Sequence, residues 1–178
     1  MEQLMKVLLE DKEICEFDEI QQLYSDKDYE SLYKNKQLRL EDIYYDFDKF
    51  IDDIIEETIS IENLLVWFLN NKNLLLWLDW RGEGYSGEIA DFVNEFMKSK
   101  FTIEVNLTNN FITEEDLSTK FNIINSELNK INFKLINIDT QSDEYYFTVV
   151  PTTINLSEIN KTLNNILIYS IEDLNKNY

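Results

Sequence analysis

A chain of 178 residues, 44% of them hydrophobic, can fold around a sizeable core, which excludes a disordered acidic tail. Its 35 acidic side chains outnumber 16 basic ones and leave a net charge of −19, which disfavours phosphate backbones and anionic membranes as partners. Histidine is absent and Cys15 is the only cysteine, so the commonest general base and any intrachain disulfide are excluded.

The first 70 residues are predicted to be helical, because apolar residues recur at the spacing of one helix face. The clearest helix runs from about Leu40 to Ile59. Its apolar stripe consists of Ile43, Phe47, Phe50, Ile51, Ile54 and Ile55. A shorter helix from Ile61 to Leu69 is expected after Ser60.

From Leu74 onward the pattern predicts strands that alternate with helices. Strands are expected at 74–80, 101–107, 133–138 and 145–150, and helices at 87–100 and 113–130. A final helix is predicted from Ser157 through Leu167, and Trp77 is expected in the core. This order gives N-terminal helices followed by a β-α-β-α-β-β-α mixed sheet covered by helices, in the α/β (α+β) class.

The domain organisation is predicted to be simple. No linker rich in proline, glycine or serine interrupts the sequence, so 1–178 is interpreted as one domain, with a helical part at 1–70 and an α/β core at 74–170. No segment reaches about 18 uninterrupted apolar residues, so no membrane span is expected. A single cysteine and an N-terminus without a basic leader favour the cytoplasm.

A glycine-containing turn matches the G-x-G-x-x-G pattern of dinucleotide sites, after a predicted strand and before a helix. It runs from Gly82 to Gly87, and its electrostatics oppose a pyrophosphate because Arg81 is the one base among several acids. The same acids could instead hold Mg²⁺ or Ca²⁺: Asp79, Glu83, Glu88 and Asp91. Their spacing is not that of an EF-hand loop, so we favour a tight strand-to-helix turn and predict no cofactor, no metal and no catalytic residues.

The strongest functional signal is the acidic segment from Glu41 to Glu62, which contains nine acids and one base, Lys49. A solvated helix face is the ordinary interpretation of such a run, but like charges at helical spacing cost stability. Tyrosines among carboxylates suit a protein interface that steers by charge and anchors by rings. The predicted partner-binding residues are Asp42, Tyr45, Asp46, Asp53, Glu56, Glu57, Trp80, Glu83 and Tyr85.

Two segments carry a resemblance to a known kind of protein. They are Leu76-Trp77-Leu78-Asp79-Trp80-Arg81, followed by Gly87-Glu88-Ile89, and Asp139 to Phe147, followed by Val149-Val150-Pro151. Over residues 74–170 the chain resembles small bacterial α/β proteins that act as immunity partners of polymorphic or contact-dependent growth inhibition toxins.

The resemblance implies an acidic immunity protein, not an enzyme, that binds and neutralises a cognate protein toxin expected to be basic. A negative charge agrees with this, because an acidic inhibitor can cover a nucleic-acid groove and associate quickly. One alternative is a phage-type acidic mimic of nucleic acid that blocks a DNA-binding protein. The other is a Mg²⁺- or nucleotide-binding enzyme that uses the turn from Asp79 to Glu88.

Overall fold

The computed structural model describes residues 1–40, 46–56, 59–78, 83, 85, 87–107, 117–141 and 144–171. These residues form eight helices and one four-stranded sheet, so the predicted mixed α/β class is confirmed. Contacts between Cα atoms divide the chain into two compact units, residues 2–73 and residues 74–178 with Met1. The boundary falls where the sequence pattern changes from helices to strands, and a single domain stays a prediction.

The regular elements that the structure describes in the first unit are all helices. They are α1 Glu2–Leu8, α2 Asp11–Ser25, α3 Tyr29–Tyr33, α4 Phe47–Ile55 and α5 Ile61–Asn71. α5 starts at a capping box, in which the Ser60 hydroxyl accepts from the Asn63 N–H and the Asn63 side chain accepts from the Ser60 N–H. The Phe17 and Phe68 rings, 5.4 Å apart, join α2 to α5 inside the core.

The long helix predicted from Leu40 to Ile59 is shorter in the structure. Asp46 has extended φ and ψ angles of −145° and 125°, and its carboxylate accepts from the Asp48 N–H at 2.8 Å, so it caps a helix that begins at Phe47. The helix ends at Ile55, which is 69% exposed and not part of the buried stripe. Ile43 lies outside the described residues.

The second unit holds the sheet and three helices. Its elements are β1 Leu76–Leu78, α6 Glu88–Phe101, α7 Leu117–Asn129, β2 Phe133–Asp139, β3 Tyr145–Pro151, α8 Leu156–Asn160 and β4 Leu167–Ser170. The strand order is β1-β3-β2-β4, and the three pairings among the described strands are antiparallel where a mixed sheet was expected. β2 and β3 form the central hairpin, and α7 packs on it with Phe121 4.5 Å from Phe147.

The strand predicted at Phe101 to Leu107 is absent from the sheet that the structure describes. Exposed and less exposed residues do alternate there, but the backbone of Leu107 bonds to a side chain instead of a neighbouring strand. Asn94 Oδ1 accepts from the Leu107 N–H at 3.2 Å, and Asn94 Nδ2 donates to the Leu107 carbonyl at 3.3 Å. The amide of Asn94 therefore holds this segment beside α6.

The final helix predicted from Ser157 to Leu167 is also wrong in extent. Asn155 caps a short α8, which stops at Asn160. The Asn160 amide donates to the Ile168 carbonyl at 2.8 Å and accepts from the Ile168 N–H at 2.9 Å. Leu167 consequently belongs to β4, which pairs with β2.

Candidate functional site

The candidate site is the outward face of α4 in the helical unit. Phe50 and Ile54 are buried, so the helix presents its opposite residues to solvent. Asp48, Asp52 and Ile55 follow each other at i, i+4 and i+7, and all three are exposed. The result is a large apolar side chain beside two carboxylates on one face, which we call the α4 face.

The distribution of acids along α4 is unfavourable for the helix itself. Asp48 lies in the first turn, where a carboxylate stabilises the positive end of the helix, but the last turn contains no base. Asp52 lies four residues from both Asp48 and Glu56, and such like-charge pairs each cost roughly 0.2–0.5 kcal/mol. Helix stability therefore does not account for the carboxylates near its C-terminal end.

Lys49 is the one base within α4, and it pairs with Asp53 one turn later. The hydrogen bond to Asp53 raises the pKa of Lys49, and the charges of Asp53, Glu56 and Asp52 raise it further. The side chain of Asp53 is 15% exposed, less than its outward neighbours. Asp53 therefore contributes less to the α4 face than the sequence predicted.

Glu83 lies in the other unit and is a structural residue, which corrects its assignment to a partner-binding surface. Its carboxylate accepts from the Ile89 N–H at 3.0 Å and from the Lys120 ammonium at 2.5 Å. The side chains of Glu83 and Lys120 are 5% and 9% exposed. Glu83 thus satisfies the first turn of α6 and ties the preceding turn to α7.

The turn before α6 was also considered as a site for a nucleotide or a metal ion. Gly87 has a φ of 95°, which glycine adopts without strain, and it precedes α6. A pyrophosphate at the start of α6 would have to displace Glu83 from Ile89. Within the described part of the chain, no group of three or more histidine, cysteine, aspartate or glutamate side chains is placed to hold a metal ion. Asp79 lies outside that part.

Two aromatic residues near the turn are accessible. Tyr85 is 55% exposed, and its hydroxyl donates to Asp91 at 3.3 Å. Partial desolvation and the charge of Asp91 raise the pKa of Tyr85. Trp77 was expected in the core but is 46% exposed. It lies on β1, a strand at the edge of the sheet, on the face opposite to that of the buried Leu76 and Leu78.

Comparison with models of known protein families gives a match. The model of DUF6630, a domain of unknown function, matches residues 1–164. The chain belongs to the DUF6630 family. Neither the curated proteins nor the solved structures contain a match.

The DUF6630 match covers both regions considered as sites, namely α4 and the turn before α6. They lie in different units of the chain. No helix among the described residues of this DUF6630 chain is long and apolar enough to cross a membrane.

The nine predicted partner-binding residues differ in position and exposure in this DUF6630 chain, and some of them lie outside the described residues. Asp53 lies on α4, and the exposed Asp46 and Glu56 flank its two ends. Tyr85 is exposed in the other unit, and the side chain of Glu83 is nearly buried. The remaining four lie outside the described residues: Asp42, Tyr45, Glu57 and Trp80.

Sequence reasoning missed Ile55 as a surface residue, although a signal was present. At about 100° per residue, Ile55 lies only about 20° around the helix from Asp48 but about 80° from Phe47. Counting angles instead of grouping apolar residues would have placed Ile55 among the acids.

Proposed function

We propose that this chain is an acidic inhibitor of the immunity-protein type, which binds a cognate basic toxin domain through the α4 face. The observation that carries the proposal is the 69% exposure of Ile55 beside Asp48 and Asp52. Phe50 and Ile54 already form the buried side of the helix, so Ile55 is not needed for packing within the unit. Protein interfaces combine such an apolar anchor with charges that steer the partner.

The shape of the α4 face favours a protein partner over mimicry of nucleic acid. A mimic needs long rows of carboxylates at the spacing of phosphates along a duplex. α4 has nine residues and is roughly 13 Å long, which is about four base-pair steps. The described carboxylates of α4 therefore form one compact patch, which supports contact with a single groove or pocket on a protein.

The proposal is tested with the product of the reading frame immediately upstream, expressed as an isolated C-terminal domain. We expect the two chains to form a complex whose association slows as salt increases. The triple variant Asp48→Asn, Asp52→Asn, Glu56→Gln should reduce the association rate by on the order of tenfold, because it removes the two carboxylates of the α4 face and that of the exposed Glu56 that follows α4. In cells that express the upstream domain, the wild-type chain should restore growth and the triple variant should do so less well.

A matched control removes the same amount of charge elsewhere. Asp18, Glu19 and Glu95 are exposed and lie outside α4, so Asp18→Asn, Glu19→Gln, Glu95→Gln should leave the association rate close to that of the wild type. Separately, Ile55→Ser should increase the dissociation rate by roughly 5- to 30-fold with little change in the salt dependence. Equal effects of the two triple variants would rule out the α4 face as the binding surface.

A further inference from the structure

Lys49 lies at the border of the α4 face. At about 100° per residue, Asp52 is midway around α4 between Ile55 and Lys49, about 60° from each. The side chain of Lys49 is 64% exposed, whereas that of Asp53, with which it forms an ion pair, is 15% exposed. A partner that covers Ile55 and Asp52 therefore also comes close to the Lys49 ammonium.

The position of Lys49 is unfavourable for the helix that contains it. Lys49 is the third residue of α4, in the first turn, where the partial positive charge of the helix end repels a base. Asp53 lies two residues before the end of α4, close to the partial negative charge. The two charges are thus the reverse of the arrangement that the helix dipole favours.

The order of the two residues in the ion pair leads to the same conclusion. In Lys49–Asp53 the base precedes the acid by four residues, and this order stabilises a helix less than an acid followed by a base. The Glu2–Lys6 pair of α1 has the more favourable order. Helix stability therefore does not account for a base at position 49.

Attraction of a basic partner does not account for Lys49 either. A uniformly negative face attracts such a partner more strongly than a face that contains a base, so Lys49 weakens the general attraction. Specific interfaces include repulsive elements of this kind, because they exclude partners that match only the net charge. A partner compensates for the charge of Lys49 by placing an acidic side chain opposite to it.

We propose that Lys49 is a specificity-determining residue of the α4 face, and that it selects a basic partner with an acidic side chain opposite the Lys49 ammonium. Basic side chains of this partner contact Asp48 and Asp52, and an apolar pocket receives Ile55. An ammonium has three N–H donors, so Lys49 can bond to Asp53 and to the partner at the same time. The inference rests on the proposed function, because it concerns the same surface.

The test compares the affinity of Lys49 variants for two probes, the domain encoded immediately upstream and poly-L-lysine. Lys49→Met and Lys49→Glu both make the chain more negative, so both should bind poly-L-lysine at least as tightly as the wild type does. For the upstream domain we expect the opposite direction. Lys49→Met should weaken the affinity roughly two- to fivefold, and Lys49→Glu on the order of tenfold or more, because it places two acids opposite each other.

Lys6→Met is the matched control. The side chain of Lys6 is 65% exposed, forms an i,i+4 pair with Glu2 and lies outside α4. This variant changes the net charge by the same amount as Lys49→Met, so it should bind the upstream domain as tightly as the wild type or slightly more tightly. Far-UV circular dichroism shows whether each variant is folded, and Lys49→Met provides the comparison if Lys49→Glu is not.

Asp53→Asn separates the Lys49 charge from the ion pair. It disrupts the same pair but keeps the ammonium, so it should weaken the affinity for the upstream domain less than Lys49→Met does. An equal or larger loss in Asp53→Asn would show that the pair matters and not the charge that Lys49 offers to a partner.

The remaining outcomes separate this inference from the proposed function. If the wild-type chain forms no complex with the upstream domain, the proposed function is wrong and the role of Lys49 with it. If the complex forms but both Lys49 variants bind as tightly as the wild type or more tightly, the role of Lys49 alone is overturned, because net charge then explains the attraction.

Discussion

Asparagine side chains satisfy backbone groups at the ends of several elements. Asn94 bonds to both backbone groups of Leu107, and Asn160 bonds to both backbone groups of Ile168. Asn125 accepts from the Leu135 N–H just beyond the end of β4. A side-chain amide has both a donor and an acceptor, so it can replace a strand neighbour for one residue. Two sequence predictions failed at such asparagines: the strand at 101–107, where Asn94 bonds, and the helix to Leu167, where Asn160 bonds.

The Glu83–Lys120 pair is the residue-level feature with the largest expected effect on stability. Lys120→Met should destabilise the chain by roughly 3–5 kcal/mol, because it leaves the carboxylate of Glu83 buried without its cation. Urea unfolding followed by tryptophan fluorescence measures this change. A loss below about 1 kcal/mol would show that Glu83 reaches solvent when Lys120 is removed.

Combining Lys120→Met with Glu83→Gln supplies the control for this experiment. The glutamine oxygen can still accept from the Ile89 N–H, and no charge remains buried. The double variant should therefore recover most of the stability that Lys120→Met loses. If the double variant is no more stable than Lys120→Met, the loss comes from packing and not from an unpaired charge.

Tyr146 gives a prediction for alkaline pH. Burial raises the pKa of Tyr146 above its usual range, and the hydrogen bond that its hydroxyl donates to Glu144 at 2.8 Å raises it further. Above a pH of about 10 the unfolded chain loses this proton while the folded chain keeps it, so the free energy of unfolding decreases as pH rises. Below that pH both states hold the proton, and Tyr146 contributes no slope.

The variant Tyr146→Phe checks the sign of this effect. Its free energy of unfolding should fall less steeply than that of the wild type above a pH of about 10, by up to about 1.4 kcal/mol per pH unit. Urea unfolding over a series of pH values between about 9 and 11 measures both slopes. Equal slopes for the two proteins would show that Tyr146 ionises as readily in the folded chain as in the unfolded one.

At the scale of elements, periodicity predicted which segments are regular better than how they pair. The alternation at Phe101 to Leu107 is the pattern of a half-buried strand, and the alternating exposure is present. Pairing was decided by Asn94, thirteen residues before Leu107, and by Thr102, whose φ of 58° turns the chain at the end of α6. Neither the hydrogen bond to Asn94 nor the turn at Thr102 has a signal in the local sequence.

The variant Asn94→Ala tests this account of the 102–107 segment. It should destabilise the chain by about 1–3 kcal/mol, because the N–H and carbonyl of Leu107 lose their partner. Hydrogen exchange at the Leu107 amide should become faster. Asn106→Ala, at an exposed position in the same segment, is the matched control and should change neither quantity. Unchanged protection of Leu107 in Asn94→Ala would mean that another group holds the segment.

The α4 face shows how much of a candidate site can be predicted from sequence. The charge of the segment and the presence of a helix were predictable, because they follow from composition and periodicity. The break at Asp46 was not, since an aspartate inside an acidic run gives no special signal until its carboxylate is seen to cap the next helix. The exposure of Ile55 could have been predicted, because its position around the helix lies close to that of Asp48.

At the scale of the whole molecule, negative charge is present in both units. Residues 2–73 contain 19 acidic and 8 basic side chains, a net of −11, and residues 74–178 contain 16 and 8, a net of −8. Several acids are nevertheless structural, including Glu83 in its buried pair and Glu16, which bonds to Lys72 at 2.6 Å. Net charge alone therefore does not identify the carboxylates that remain for a partner.

The stability of the chain should increase with moderate salt. Raising sodium chloride from about 0.01 M to about 0.1 M shortens the Debye length from about 30 Å to about 10 Å, which screens the repulsion among the surplus carboxylates. The free energy of unfolding in urea should rise by on the order of 1 kcal/mol. The α4 triple variant, with three fewer charges, should show a smaller increase. A decrease with salt would mean that exposed ion pairs outweigh the net repulsion.

The sequence by itself determined the fold class, the change from helices to strands near residue 74, the acidic character and the positions of most helices. These properties depend on composition and on periods of two or 3.6 residues, which are local. Only the tertiary structure decided the antiparallel pairing, the loss of the strand at 101–107, the burial of the Glu83 side chain and the exposure of Trp77. Each of these depends on a partner distant in the chain or on a position at the edge or end of an element, and local patterns do not specify such relations.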